Sequence, residues 1–229
     1  MRLRIVGMFA FLAAAAIGSS QTVVEFKVDD AWGRDAVQFA TTAPVEDIVG
    51  TTNQVTGFVR VDPKNIKGPA TSARIDVDVA SFKTGIEMRD GGVRKALGAE
   101  AHPKAVFTLE RVQSASVNAA VSNTPVDITA TGSFEVNGVV RPIEVKARIA
   151  YIPKGGPFSR MRPGNFVRIT SSFDIKLTDF NIERNGPVLP LQVGETAHVS
   201  VSLLASDAGP EETEEYRQKA IKYMGKAAR

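Results

Sequence analysis

The sequence predicts an all-β chain, folded as a sandwich or as a closed antiparallel barrel. Three observations predict it. From Val126 to Val136 apolar and polar residues alternate. Val126, Ile128, Ala130, Phe134 and Val136 share one face, and Asp127, Thr129, Thr131, Ser133 and Glu135 share the other. A period of two over such a run marks a strand with one dry and one wet face. Asn137-Gly138 then joins it to a second run that reaches Ile149. Both residues tolerate φ > 0, which makes the pair the strongest short-range hairpin signal. The same alternation recurs at short spacing along most of the chain, without an internal repeat, for a count of about eight or nine strands.

The elements follow in order. Arg2 and Arg4 head an apolar stretch from Ile5 to Ile17, and Gly18, Ser19 and Ser20 close it. This reads as a secretory signal cleaved near Ser20–Gln21, against the competing reading of a membrane anchor. The apolar core is short and Ala-rich, which favours cleavage. Val23 to Val28 is a strand with Val24, Phe26 and Val28 inward. Ala36 to Ala40 is a short one with Val37 and Phe39 on one face. Glu46 to Thr51 and Gln54 to Val61 follow; in the latter Val55, Gly57, Val59 and Val61 share a face, and Asp62-Pro63 stops the run. Lys64 to Pro69 is a loop. Ala73 to Val79 turns Ala73, Ile75, Val77 and Val79 to one side.

Ser81 to His102 breaks the alternation. Met88 to Asp90 and Val93 to Leu97 are weakly helical, and Gly91-Gly92 costs about 1 kcal/mol per Gly relative to Ala, so the helix is expected to be short or broken. Val106 to Val112 resumes a strand, and Ser114 to Thr124 is a polar loop. After the hairpin, Pro153 to Pro163 is a long loop. Phe166 to Leu177 is a strand with Val167, Ile169, Ser171, Phe173, Ile175 and Leu177 on one face, and Thr196 to Leu204 is the last strand. Pro210 then opens a segment with acids first and bases last, the order that complements a helix dipole. Its apolar stripe is Tyr216, Ala220, Tyr223, Met224 and Ala227. That stripe packs on the barrel wall, or meets a partner or membrane surface.

Composition removes several function classes. Setting aside Arg2 and Arg4 leaves 26 basic against 25 acidic residues, so no basic field for nucleic acid is expected. Cys is absent, which excludes disulfides, thiolate nucleophiles and an N-terminal lipid on Cys. About 209 residues follow the expected signal, enough for one sizeable core.

Five local matches, in order from about Glu25 to Ser206, resemble the YceI-like proteins. Ala43 to Thr52, followed by Val55-Thr56-Gly57 and Val61-Asp62-Pro63, is similar to the family's second and third strands. Thr84 to Asp90 resembles its Thr-Gly…Arg-Asp element, and His102-Pro103-Lys104-Ala105-Val106-Phe107 its Tyr-Pro-x-x-x-Phe strand start. Gly132 to Gly138 with Arg141-Pro142 resembles its hairpin, and Phe173 to Ile182 with Val193-Gly194-Glu195 its closing segment. The resemblance implies a lipocalin-like barrel; with the strand count, the weak helix before Pro103 and the segment after Pro210, the fold expected is an eight-stranded antiparallel lipocalin-like barrel with a short helical insertion and a C-terminal helix. It implies export by a bacterium and binding of a polyisoprenoid chain. The organisation expected is a signal at 1–20, a barrel at 21–207 and a helical extension at 208–229. The chain departs from the family where Arg34-Asp35 replace His-Ser before Val37 and Phe39, where Ala43 stands near a second His, and where His102 replaces Tyr before Pro103.

Within such a barrel the candidate lumen residues are Val37, Phe39, Val59, Ile75, Val77, Phe107, Ile128, Phe134, Ile149, Ile169, Phe173 and Ile175. Phe134 and Phe173, with Phe39 and Phe107, line an apolar slot or form a plain packed core. Gly57, Ala73, Ala130, Gly132, Ala147 and Ser171 on the same faces favour a cavity, because small side chains there leave volume unfilled. Arg89 and Asp90 stand at the mouth as a lid or head-group contact, or they cap and pin the helix. The second role is favoured because Gly91-Gly92 needs fixing. Trp32 plugs one barrel end or packs beside Gly33. A zinc site needs three or four ligands, and His102 before Pro103 and His198 on the outer face of the last strand could join carboxylates in one only by tertiary accident, so both read as surface or turn histidines. No Gly-x-Ser-x-Gly elbow, P-loop or dinucleotide fingerprint is present.

The function expected is therefore non-enzymatic: a periplasmic or secreted carrier that holds a polyprenol, a quinone tail or another long apolar chain in its lumen. No cofactor is expected beyond a bound isoprenoid or quinone-type lipid. The expected partner is an apolar lipid, with no nucleic acid and no stable membrane insertion after cleavage. A homodimer through the last strand or the terminal helix stays open. The rival readings are a stress-related or interaction module with a filled barrel and no small ligand, and a hydrolase with a dispersed site.

Overall fold

A computed structural model describes residues 23–30, 32–155, 163–184 and 189–227. The expected signal and its cleavage site lie outside the described residues, as does residue 31 beside Trp32. Ten strands form one antiparallel sheet: β1 (Val24–Val28), β2 (Ala36–Thr42), β3 (Asp47–Thr52), β4 (Val55–Val61), β5 (Ser72–Asp78), β6 (Lys104–Ala115), β7 (Pro125–Val136), β8 (Val139–Ile152), β9 (Phe166–Lys176) and β10 (Thr196–Ser206). The order is β1-β4-β5-β6-β7-β8-β9-β10-β2-β3, and β1 also pairs with β10 at Lys27–Ser206, which closes the sheet on itself.

Ten segments fill eight barrel positions because two positions hold broken strands. β1 pairs with β4 from Val24–Val61 to Val28–Gly57, and β2 pairs with β3 from Val37–Thr52 to Thr42–Asp47. Between Val28 and Val37 the chain leaves the ladder in a turn. Gly33 N–H donates to the Asp30 carbonyl (2.8 Å), and Arg34 N–H donates to the Asp30 carboxylate (2.7 Å). β1 and β2 thus lie end to end along β10, opposite β4 and β3. The barrel is the eight-stranded antiparallel one that the family resemblance implied.

The central hairpin forms as its sequence requires. Val136 pairs with Val139, and Asn137 (φ 52°) and Gly138 (φ 71°) make the turn between them. Asn137 also donates its side-chain amide to the Phe180 carbonyl (3.1 Å), fastening the tip to the 3-10 turn Leu177–Phe180. β6 outruns the strand read from sequence by two residues at its start and three at its end. Register shifts between Leu109 and Arg111, and between Val112 and Ser114, move its inward set from Ala105, Phe107 and Leu109 to Val112. A bulge inserts one residue and so breaks the period of two.

Among the described residues three α-helices accompany the sheet: α1 (Glu87–Ala96), α2 (Leu189–Gln192) and α3 (Pro210–Ala227). α1 runs unbroken through Gly91-Gly92 for ten residues, the short alternative of the short-or-broken helix expected. Glu87 and Asp90 in its first turn and Arg94 and Lys95 in its last complement the helix dipole. Asp90 also anchors it to the preceding loop, accepting from the Thr84 N–H and from the Thr84 hydroxyl, both at 2.7 Å.

α3 forms where its sequence predicted and packs on the outside of the barrel. Tyr216 and Ala220 of its stripe are buried, and the ring of the exposed Tyr223 stacks on Trp32 (centroids 6.1 Å, 28°). The side chains of Met224 and Ala227 lie outside the described residues. Trp32 also meets Tyr216, and Arg34 donates to the Tyr216 hydroxyl at 2.5 Å while gripping the Asp30 carboxylate. Trp32 therefore holds the terminal helix and plugs no barrel end. The departure Arg34-Asp35 has the same structural character, since buried Asp35 accepts from the Leu204 N–H of β10 (2.7 Å).

Candidate functional site

The barrel is hollow. Its inward side chains enclose a cavity of about 1180 Å³. The wall follows strand alternation. Val37 and Phe39 come from β2, Val59 from β4, Ile75 and Val77 from β5, Phe107 from β6, Ile128 and Phe134 from β7, Ile149 from β8, and Ile169, Phe173 and Ile175 from β9. All twelve candidate lumen residues thus face this space. Ala73, Ala130, Ala147 and Ser171 line it too, and their small side chains keep it open.

Gly57 and Gly132 play a different part, and neither lines the cavity. A Cβ at Gly57 would lie 2.1 Å from the Arg74 carbonyl oxygen, at a φ of +153°. A Cβ at Gly132 would lie 2.4 Å from the Thr108 carbonyl oxygen and 2.8 Å from the Phe107 ring. These glycines admit neighbouring strands and one aromatic ring. They contribute no empty volume.

The two ends differ. At one end the loops after β4 and β6 cross and bond: Ile66 N–H donates to the Asn118 carbonyl (2.9 Å), and Ala120 N–H donates to the Pro63 carbonyl (2.7 Å). Ile66, only 2 % exposed, forms part of this floor, with Phe26 and Tyr151 in edge contact above it. The sequence places Ile66 in a loop, and a lone large apolar residue between Asn65 and Lys67 is the signal of its burial. At the other end, lining residues Ile86 and Met88 are 53 % and 89 % exposed. The mouth is here, between α1, the β2–β3 turn and the segment Ile182–Arg184 with Gln192 and Val193.

Aromatic side chains gather toward the mouth. Phe134 meets Phe173 and Phe180 edge-on, each at 5.5 Å between centroids, and Phe39 meets Phe82 at 5.1 Å. Phe82 and Phe180 sit in 3-10 turns or just after them, where no strand alternation marks them as inward. Edge-to-face pairs of this kind fix ring orientation beyond what burial alone supplies.

Among the described residues, the charged side chains lining the cavity are Glu46, Arg89, Lys95, Glu183 and Arg184, all at the mouth. Arg89 bridges it: Nη1 donates to Glu46 Oε2 (2.8 Å) and Nη2 to the Thr84 carbonyl (3.2 Å). Arg184 donates to the Val193 carbonyl (2.9 Å) and pairs with Glu195 (3.3 Å). Asp90, by contrast, does not reach the cavity. It is buried, and its two hydrogen bonds from Thr84, with Lys83 at 3.6 Å, hold its carboxyl below the usual carboxylate range. The sequence pair thus divides: Arg89 belongs to the mouth and Asp90 to the helix anchor.

The histidines lie outside this space. His198 pairs with Asp174 (2.6 Å) on the outer wall, and the exposed His102 ring lies against the hairpin tip, where it meets a Cβ built at Gly138. Among the described residues no group of His, Cys, Asp or Glu is placed to hold a metal ion. No helix among them is long and apolar enough to cross a membrane.

A family model described as the YceI-like domain matches residues 17–205. Among solved structures, the chain is similar to BcnA of Burkholderia cenocepacia, at 20 % identity and TM-score 0.58, covering 78 % of this chain and 99 % of that one. It is similar to a polyisoprenoid binding domain from Saccharophagus degradans implicated in plant cell wall breakdown (15 %, TM-score 0.59, 80 % and 98 % covered). A third is the YceI protein of Campylobacter jejuni (16 %, TM-score 0.56, 72 % and 88 % covered). A comparison with curated proteins gives no match.

Proposed function

This chain belongs to the YceI-like family, and from that premise we propose that it is a non-enzymatic carrier whose lumen takes up one long apolar chain, of the polyprenol or quinone-tail kind. The observation that carries this reading is the continuous apolar wall around about 1180 Å³, floored at one end and open beside α1. At roughly 30 Å³ per heavy atom, the share of a water in the liquid, that space takes about forty heavy atoms, or roughly eight five-carbon units. The polyisoprenoid binding domain from Saccharophagus degradans has the same fold, which supports the chemical class of guest. Burial of a chain gains about 25 cal/mol per Å² of apolar surface, and ordering a flexible tail offsets much of it.

The reading assigns no chemistry to the cavity. Its wall is mostly apolar, and its charged groups stand at the rim, where Arg89 and Arg184 are each held by a carboxylate and a backbone carbonyl. We place the mature protein in the periplasm or outside the cell, on the basic head and apolar stretch of Met1–Ser20. Native mass spectrometry of the purified full chain, with lipid extraction of the same sample, tests the carrier role. A co-purifying prenyl lipid, or uptake of an added quinone by extracted protein, is expected. Protein that emerges empty and takes up neither quinone nor polyprenol overturns the proposal.

A further inference from the structure

A carrier lumen accounts for a tail and leaves the head of the guest unassigned. Resting on the carrier reading, we infer that Arg89 binds that head, and that the head is a neutral oxygen acceptor, a carbonyl or a hydroxyl, and not a phosphate. Three observations combine. Arg89 lines the cavity at its mouth, where a tail threaded toward the floor leaves its other end. Two of its nitrogens are engaged, Nη1 with Glu46 and Nη2 with the Thr84 carbonyl, while its buried Nε has no hydrogen-bond partner among the described residues. A buried N–H without an acceptor is costly, and such orphans in native proteins ask for a missing partner. Finally, the Arg89 charge is already matched by Glu46 at 2.8 Å.

That last point selects the class of head. An anionic phosphate is held by several converging donors with net positive charge around them. Here the lining cations Arg89 and Arg184 each face a carboxylate, and Lys95 is exposed at the rim with Glu183 also on the lining. Nε, the one guanidinium nitrogen of Arg89 left without a partner, offers a single N–H beside a neutralised ion pair, and that suits one uncharged oxygen. A carbonyl or hydroxyl satisfies it without bringing a second negative charge next to Glu46.

The experiment uses the full chain after lipid extraction and four probes that share a fifteen-carbon prenyl tail. One ends in hydrogen, one in a hydroxyl, one in a ketone carbonyl and one in phosphate. Each displaces an environment-sensitive dye from the lumen. The hydroxyl and ketone probes are expected to bind about tenfold tighter than the hydrocarbon, with phosphate no tighter than hydroxyl. In Arg89→Lys, which keeps a cation for Glu46 and removes the Nε–H, this advantage over the hydrocarbon, measured on the same variant, should fall to about twofold or less. Phosphate binding tightest, equal affinity for all four, or an undiminished preference in Arg89→Lys overturns the inference. Should the variant not fold, the rank order on the native chain decides alone. If no probe binds at all, the carrier reading itself falls; equal binding of all four sinks only the head-group assignment.

Discussion

A Cβ at Gly132 would press on the Thr108 carbonyl and the Phe107 ring, whereas the Ala147 side chain faces open lumen. The two residues therefore answer to enlargement in opposite ways. Gly132→Ala should destabilise the fold by about 1–3 kcal/mol, because a packed strand crossing cannot move aside. Ala147→Phe should cost less than about 1 kcal/mol, since the ring enters a space that is already empty, and should lower dye uptake severalfold. Urea denaturation of both variants, with dye titration of the second, checks the pair. An Ala147→Phe protein as unstable as an overpacked core variant would argue for a filled interior. Residue faces were legible in the sequence because a strand alternates strictly, which is why all twelve candidate lumen residues line the cavity. Whether a small residue makes space or fills it was not legible, because that depends on the strand across from it.

At the scale of elements, α1 is the wall of the mouth, and two opposed terms set its stability. Gly91-Gly92 weakens it, and the Asp90–Thr84 hydrogen bonds hold its first turn. A Cβ at Gly92 meets nothing within 4 Å, so Gly92→Ala should stabilise the protein by about 0.5–1 kcal/mol and raise the thermal midpoint by about 1–4 °C. Asp90 supplies the pH dependence. Its folded pKa lies below the unfolded value of about 3.9, so its contribution is complete above that pH and is lost as pH falls through the folded pKa. Asp90→Asn should be less stable than the native protein at pH 7, and the gap should close as pH drops below about 4. A gap in urea midpoint that is constant from pH 7 to 2 would remove the carboxylate from this role. That this helix is short was legible from its glycines; that it is unbroken was not, because propensity is a local prior and the hydrogen bonds from Thr84 to Asp90 support the first turn beside it. The β6 bulges were hidden for a related reason, since a register shift is visible only against the partner strand.

At the scale of the whole molecule, the chain is a hollow barrel with a helix strapped to its outside. The family match stops at residue 205, and α3 begins at Pro210. That α3 is a helix was legible from its proline start and charge order. Its seat was not, because Trp32, Arg34 and Asp29 stand some 180 residues earlier in the chain and meet it only through the β1–β10 closure. The contacts divide by energy. Burial of Tyr216 and Ala220 against the wall is worth about 2–3 kcal/mol, while the exposed pairs Arg217–Asp29 and Lys154–Glu212 add little. No described α3 side chain lines the cavity. A chain ending at Asp207 keeps the Asp207 carboxylate that accepts from the Asn165 N–H (2.7 Å) and so keeps the end of the barrel tied. Such a truncation should retain its β-sheet circular dichroism and its dye affinity, melt roughly 5–10 °C lower, and shift Trp32 emission to the red as Tyr216 and Tyr223 leave the indole. If dye affinity collapsed while the sheet signal survived, the strap would prove to shape the lumen from outside, and the hollow barrel would not be self-sufficient.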